Sequence, residues 1–463
     1  MSFTELSTLL ARHEQTHLLK YWDDLSHEQQ QSLARQIDSI PWDELEQLGH
    51  ISEKKERRGA VSYSPPPAVR LDEIDEEVAA PAGDALLREN KVALLVVAGG
   101  QGTRLGFQEP KGFFPIGPLS KKSLFQLLLE KVVAYQRLYK SKIPVYIMTS
   151  PATDEATRHY FNQEQSWPLN ELSVEIFCQG VMPATDLKSG KLLLSEKGRI
   201  AVSPDGHGGL LPAFSKSQLL EKAVRSGIEH FFYAQIDNPL APLVDPLLLG
   251  IHALKEAQLS TLAVSKVSPD ERVGHIVEVD GTTQIIEYSD CPTVITEERD
   301  GTGRLKFWAG NTAIHIFKAD FLKGIAANRT DLPFHRAKKK VPYLDDQGTL
   351  IDPPEPNAIK YERFIFDLLP LAKKNLVVEV QRESAFAPVK NGPSETTDTA
   401  KTSQDLMNQL YQRWLVECGG TISKGSVVEI SPLVAPSFRA LKKGKSIVGQ
   451  NFSGSVYLDE ESL

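Results

Sequence analysis

LLVVAGGQGTRLGFQEPKG, residues 94–112, is the stretch on which the reading of this chain turns. An unbroken apolar run opens directly into Gly99, Gly100 and Gly102, with Gly106 shortly after. A continuous run of this kind bounded by glycine is what a strand buried on both faces of a parallel sheet looks like. The glycines let backbone approach a ligand closely and turn several N–H groups toward phosphate oxygens. Arg104 and Lys111 bring two cations to the same loop. Arginine grips phosphate with parallel hydrogen bonds, and lysine supplies a compact charge that follows a moving phosphate. The spacing G-x-G-x-x-x-G is not the dinucleotide G-x-G-x-x-G, and no G-x-x-x-x-G-K-[ST] occurs in the chain.

Outward from this loop, apolar runs alternate with helical periodicity. VALLVVA (92–98), VYIMTS (145–150) and HFFYAQI (230–236) read as strands, and SLFQLLLEKVVAYQRL (123–138) and SKSQLLEKAVRSG (215–227) as helices. That alternation predicts an α/β fold, a Rossmann-like mixed sheet flanked by helices. Ligands in such sheets bind beyond the strands' carboxyl ends, so the loops after Ala98, Ser150 and Ile236 are where chemistry is expected. Asp237 follows the third strand and suits Mg²⁺ (or Mn²⁺), which takes one or two carboxylates together with phosphates and waters. The competing reading of Asp237 is a turn or helix cap.

The flanks differ. Residues 4–48 carry apolar side chains at helical spacing, with Ser26 an N-cap for HEQQQSLARQI. Residues 53–83 begin with the charge run EKKERR and contain three consecutive prolines, which favour an extended connection. Three segments result: a helical N-terminal region and linker (1–90), a catalytic domain (91–400) and a small β-rich C-terminal domain (401–463).

The 52 Lys plus Arg against 60 Asp plus Glu, a formal charge of -8, exclude a general attraction to nucleic acid or an anionic membrane. The basic cluster His335 to Lys340 reads as a solvated loop, with a phosphate-facing patch as the lesser alternative. Three scattered cysteines, an N-terminus without a signal-peptide pattern and the lack of a long apolar run predict a cytoplasmic protein, with a monomer as the working expectation.

GGQGTRLG...PKG resembles the signature loop of the eukaryotic-type UDP-sugar pyrophosphorylases. The longer text, with HLLKYWDDL, YIMTS, CQGVMPA, SPDGHGG, EYSD and FAPVKN in order, is similar to the UDP-N-acetylglucosamine branch of that family. The resemblance implies a nucleotide-diphospho-sugar transferase fold of GT-A-like type. It also implies a reaction of UTP with a sugar 1-phosphate, GlcNAc 1-phosphate favoured, that gives a UDP-sugar and pyrophosphate with Mg²⁺.

By the same resemblance Ala98, Gly99 and Gly100 hold the nucleotide, Arg104, Lys111 and Lys390 act on the phosphates with Lys360, and Asp237 holds the metal. Uracil is read by Gln179, Gly206 and His207, where relatives more often carry Asn at the last position. The sugar meets Gly274, Glu287, Asn311, Phe364 and Phe366. Other readings stand beside these: Phe364 and Phe366 as core, Glu287 as a surface carboxylate, His207 as a turn residue, Lys360 and Lys390 as solvated. At the level of function the alternatives are a UTP–glucose-1-phosphate or broad UDP-sugar enzyme, and a non-catalytic UDP-sugar-binding protein.

Overall fold

The apolar runs become strands of one large sheet in a computed structural model that describes residues 1–50, 61–163, 168–328, 332–444 and 447–462. Its principal strands are β1 (Val92–Val97), β2 (Val145–Thr149), β3 (Val174–Cys178), β4 (His230–Gln235), β5 (Leu259–Ser265), β6 (Ala309–Lys318) and β7 (Asn375–Glu379). They run in the order β7-β5-β6-β4-β1-β2-β3. The pairs among β4, β1, β2 and β3 are parallel, as is β5 with β7, and only β6 runs against its neighbours β4 and β5. Every side chain of β2 is buried, as its unbroken hydrophobicity requires.

Helix Leu124–Tyr139 begins at Ser123, whose hydroxyl accepts from the Gln126 N–H while the Gln126 side chain accepts from the Ser123 N–H. Its Leu124, Phe125, Leu128 and Val132 enter the core that also holds Leu94, Val96 and Ile147. The expected helix over 215–227 divides into Leu210–Lys216 and Leu219–Arg225, because Gln218 between them adopts a left-handed conformation with φ 61°.

The chain groups into two compact units that cut across the three consecutive segments expected. The first comprises Met1–Val61, Gln179–Leu210 and Asp331–Asp367, and the second Ser62–Cys178, Leu211–Thr330 and Leu368–Leu463. In the first, the N-terminal helices Phe3–Arg12 and His27–Asp38 pack Leu6, Leu10, Leu33 and Ile37 against Leu192, Leu194 and Ile200. Ser26 caps the second of these helices and shares a reciprocal capping box with Gln29. The cluster His335 to Lys340 is largely strand rather than loop: Phe334–Lys339 pairs antiparallel with Ala358–Arg363, while Arg336, Lys338 and Lys339 keep their side chains in water.

Two further expectations are corrected in the second unit. The connection over 53–83 gives way to helix Glu76–Arg88, started by Asp75, whose carboxylate accepts from the N–H groups of Glu77 and Val78. Small residues explain it: a Cβ on Gly250 would stand 1.7 Å from Ala79 O, so this helix and Pro246–Leu254 touch backbone to backbone. The EKKERR run lies outside the described residues. The C-terminal segment is not a separate β-rich domain. It is led by helix Ala400–Glu417, and its Met407, Leu410, Leu415, Val428 and Ile430 join the core of the large sheet. No helix among the described residues is long and apolar enough to cross a membrane.

Candidate functional site

The glycine loop after β1 closes on itself. The Lys111 N–H donates to Gly100 O at 3.0 Å, the Gly102 N–H donates to Glu109 O at 3.0 Å, and Gln101 bridges to Pro110. Gly106 takes φ 72° and ends the short turn that carries Arg104, whose side chain is exposed. Gly112 has no room for a side chain, since a Cβ there would stand 2.1 Å from the ring of Phe125. Lys111 is thereby held against the helix at one edge of the loop.

β4 lies beside β1 in parallel register, Gln235 opposite Val97, so Asp237 leaves the sheet at the same end as the glycine loop. Lys111 Nζ stands 3.5 Å from Asp237 Oδ2, and both side chains are mostly buried, at 17% and 13% exposure. Asn238 ties in the FAPVKN segment: its amide donates to Ala385 O at 2.7 Å, and its Oδ1 accepts from the Ala387 N–H at 3.0 Å. The Val389 N–H donates to Asp237 O at 2.8 Å, which brings the backbone of Lys390 to the same strand end. Burial pushes the pKa of Asp398 up, with Lys390 opposing it and Asp237 among the carboxylates that add to it. Among the described residues no three His, Cys, Asp or Glu side chains gather around one point. Asp237 is a carboxylate facing a glycine loop that carries Lys111, a setting that suits Mg²⁺ completed by phosphate oxygens and waters.

Gly274, Glu287 and Asn311 come together in the second unit, Gly274 just before strand His275–Val279, Glu287 just after strand Thr282–Ile286 and Asn311 within β6. A Cβ on Gly274 would lie 3.5 Å from Glu287 Oε1 and 3.7 Å from Asn311 Cβ, and the Asn311 N–H donates to Gly274 O at 2.8 Å. Asn311 sits where the β5–β6 register slips, and its Oδ1 accepts from Ala313, which has φ 57°. Behind Gly274, buried Lys266 and His275 bond to each other, and burial with the Lys266 charge holds the His275 pKa down to about 4.

Gln179, Gly206, His207, Lys360, Phe364 and Phe366 belong to the first unit. Gly206 has φ 84°, and a Cβ there would meet Arg363 O at 2.4 Å, so the turn lies directly on the Arg363 backbone. His207 Nδ1 accepts from the Ile365 N–H at 3.1 Å, and its ring stacks on Phe364 at 5.3 Å. Burial holds its pKa down to about 4, so the imidazole is neutral and carries its proton on Nε2. Phe364 and Phe366 lie 4.9 Å apart in this aromatic group; Phe366 is buried and Phe364 half-buried. Lys360 is half-buried on the strand opposite Ala337.

A family described as UTP–glucose-1-phosphate uridylyltransferase matches residues 36–430. The chain belongs to this family. As a uridylyltransferase it joins UTP to a sugar 1-phosphate. UDP-N-acetylglucosamine pyrophosphorylase of Saccharomyces cerevisiae is 35% identical over 450 residues, covering 92% of this chain and 94% of the yeast protein. UDP-N-acetylhexosamine pyrophosphorylase-like protein 1 of Homo sapiens is 32% identical over 493 residues, covering 98% and 96%. The crystal structure of the uridine diphosphate N-acetylglucosamine pyrophosphorylase from Trypanosoma brucei superimposes with a TM-score of 0.82 over 100% of this chain and 99% of that one; at 24% identity it speaks to the fold alone.

Beside the expected site residues the structure packs two more: Asn238, present in the sequence as the DN after a strand but given no role, and Gly392, which sequence reasoning passed over. A Cβ on Gly392 would stand 2.7 Å from Arg104 O, so the residues after Lys390 pack against the glycine loop. For Gly392 the signal was the G after FAPVKN, and a single glycine does not say which backbone it must approach.

Proposed function

We propose that this uridylyltransferase acts on GlcNAc 1-phosphate with Mg²⁺ (or Mn²⁺) held at Asp237, on a GT-A-like fold, in the cytoplasm. The observation that carries the reading is the Lys111–Asp237 pair, 3.5 Å apart at the shared carboxyl end of β1 and β4. A cation from a phosphate-type loop and a carboxylate suited to a hard metal meet at one point. Antiparallel β6 inserted in an otherwise parallel order supports the fold assignment.

The sugar 1-phosphate oxygen attacks the α-phosphorus of UTP in line. The new O–P bond forms as the bond to the β-phosphate oxygen breaks, and that electron pair leaves on pyrophosphate. The attacking group is already an anion, so no protein base or covalent nucleophile is needed. Bound at Asp237, Mg²⁺ supplies neutralising charge to the phosphates. Lys111 exchanges its carboxylate partner for phosphate, Arg104 and Lys390 hold further phosphate oxygens, and Lys360 adds positive charge. Backbone from Ala98 to Gly100 cradles the nucleotide. His207 offers its Nε2–H to a base carbonyl, which retains the donor that an Asn amide provides. Glu287 and Asn311, with no side chain at Gly274 between them, receive the sugar hydroxyls, and Phe364 and Phe366 present apolar faces.

Glucose 1-phosphate is the second reading, favoured by the description of the matching family. Pyrophosphate release from UTP with GlcNAc, GalNAc, glucose and galactose 1-phosphates separates the two. The expected outcome is the highest kcat/KM with GlcNAc 1-phosphate. A higher value with glucose 1-phosphate overturns the sugar assignment, and no release with any of the four overturns the reaction.

A further inference from the structure

Gln179 does not stand alone at the PDG turn. Its amide nitrogen donates to Asp205 Oδ1 at 3.5 Å, and the two residues are buried at 8% and 6% exposure. Asp205 cannot drift away. Its N–H donates to Gly180 O at 3.1 Å, and its own carbonyl accepts from the Arg363 N–H at 2.7 Å. The carboxylate fills the space that side chains would take at Gly180 and Gly209, where a Cβ would lie 2.7 Å from Oδ2 and 2.1 Å from Oδ1. Two glycines, one on each side, are what allow a carboxylate to sit at this depth.

A carboxylate only accepts hydrogen bonds, whereas a glutamine amide has a donating and an accepting end that differ by a half-turn. With Asp205 ionised, the amide nitrogen must face it, and Oε1 takes the other position. That orientation accepts the N3–H of uracil and leaves an N–H for the neighbouring carbonyl. The reversed orientation would instead match cytosine, whose N3 is an acceptor and whose exocyclic nitrogen is a donor. We propose that Asp205 is a positioning residue that locks the Gln179 carboxamide in the orientation that reads uracil and rejects cytosine. The inference rests on the reading that Gln179 meets the base, and it assigns the discrimination to a residue that itself need not touch nucleotide.

Asp205→Asn is the direct test, because asparagine fills the same space but can donate or accept and so releases Gln179 to either orientation. The expected result is a fall of about tenfold or more in the ratio of kcat/KM for UTP to that for CTP, carried partly by a gain with CTP. A merely structural role would lower both activities and leave the ratio unchanged; an unchanged ratio overturns the proposal. Gln179→Ala separates the underlying reading: a UTP KM unaffected by that change means that Gln179 does not meet the base. Should Asp205→Asn fail to fold, the wild-type ratio decides as pH falls. Burial, opposed by Arg363 and aided by Glu44, pushes the Asp205 pKa up to about 6, and His207 beside it stays neutral at that pH. Ionisation of the triphosphate is common to UTP and CTP and cancels, and above about pH 5.5 the cytosine base stays essentially unprotonated. The ratio is expected to fall as pH drops from about 7.5 to about 5.5, and a flat ratio over that range overturns the lock.

Discussion

On the proposed mechanism much of the chemistry rests on two side chains, Lys111 and Asp237. Each is mostly buried and each is the other's partner, so removing one leaves an uncompensated charge and, on that mechanism, takes away a contact to phosphate or metal. Lys111→Ala and Asp237→Ala are each expected to lower kcat by about 10² to 10³, by analogy with loss of one donor to developing charge. Thermal melting of the variants distinguishes this from unfolding, and full pyrophosphate release from a folded variant would remove the residue from the mechanism. Lys111→Arg is not expected to rescue, since a planar guanidinium does not fit the place of a compact ammonium beside Asp237. His207 yields a finer prediction. Its Nδ1 is already taken by the Ile365 N–H, so only the Nε2–H is free to serve the base. His207→Leu is expected to raise the UTP KM about tenfold, the loss of one hydrogen bond, while His207→Asn stays within about threefold of wild type. Equal KM values for the two variants in steady-state kinetics would return His207 to a purely structural turn.

At the scale of elements, glycines separate stability from activity. A Cβ on Gly250 would lie 1.7 Å from Ala79 O on the facing helix, with no flexible atom to give way. Gly250→Ala is therefore expected to cost about 1–3 kcal/mol or more through overpacking, seen as a lower urea midpoint. On Gly392 the Cβ would stand 2.7 Å from Arg104 O, in the glycine loop rather than the core. Gly392→Ala is expected to move that loop and lower kcat/KM about tenfold, while the urea midpoint changes by less than about 1 kcal/mol in equivalent stability. The opposite pattern, a stable Gly250 variant and an unstable Gly392 variant, would show that the close approaches are assigned to the wrong structural role. These positions also mark where the sequence is legible. β1, β2 and β4 are buried on both faces, so their apolar runs announce them, and Ser26 announces its helix through a local capping box. Helix Glu76–Arg88 was hidden because Pro81 and the preceding prolines signal extension, while the cause of the helix, Gly250, lies far away in sequence.

For the whole molecule the same division holds between local and distant causes. That the loop residues lie beside Asp237, and that Gly274, Glu287 and Asn311 fall together, was foreseeable because motif order carries them. The grouping of 179–210 and 331–367 with the N-terminal helices was not, since Leu192, Leu194 and Ile200 meet Leu6 and Leu33 only after the chain has folded. Lys131 was equally invisible: within the stretch 123–138, read simply as a helix, nothing marks one lysine as buried. Its ammonium donates to Pro239 O at 2.8 Å and Ala241 O at 2.9 Å, just beyond Asp237 and Asn238. Burial pulls its pKa down to about 7 from an ordinary 10.5. The sign of the linkage follows. Below about pH 7 the lysine is charged in both folded and unfolded chains, and stability does not depend on pH through it. Between about pH 7 and about pH 10 the unfolded chain binds more protons than the folded one, so this residue makes stability rise with pH. Lys131→Met should remove that rise, and it also strips two buried carbonyls of their donor, at about 1–3 kcal/mol each. The melting temperature of wild type relative to the variant is therefore expected to climb from about pH 7 to about pH 9. A difference that stays constant over that range would mean that Lys131 keeps its proton in the folded protein, and that the two carbonyls hold a charged ammonium in the core.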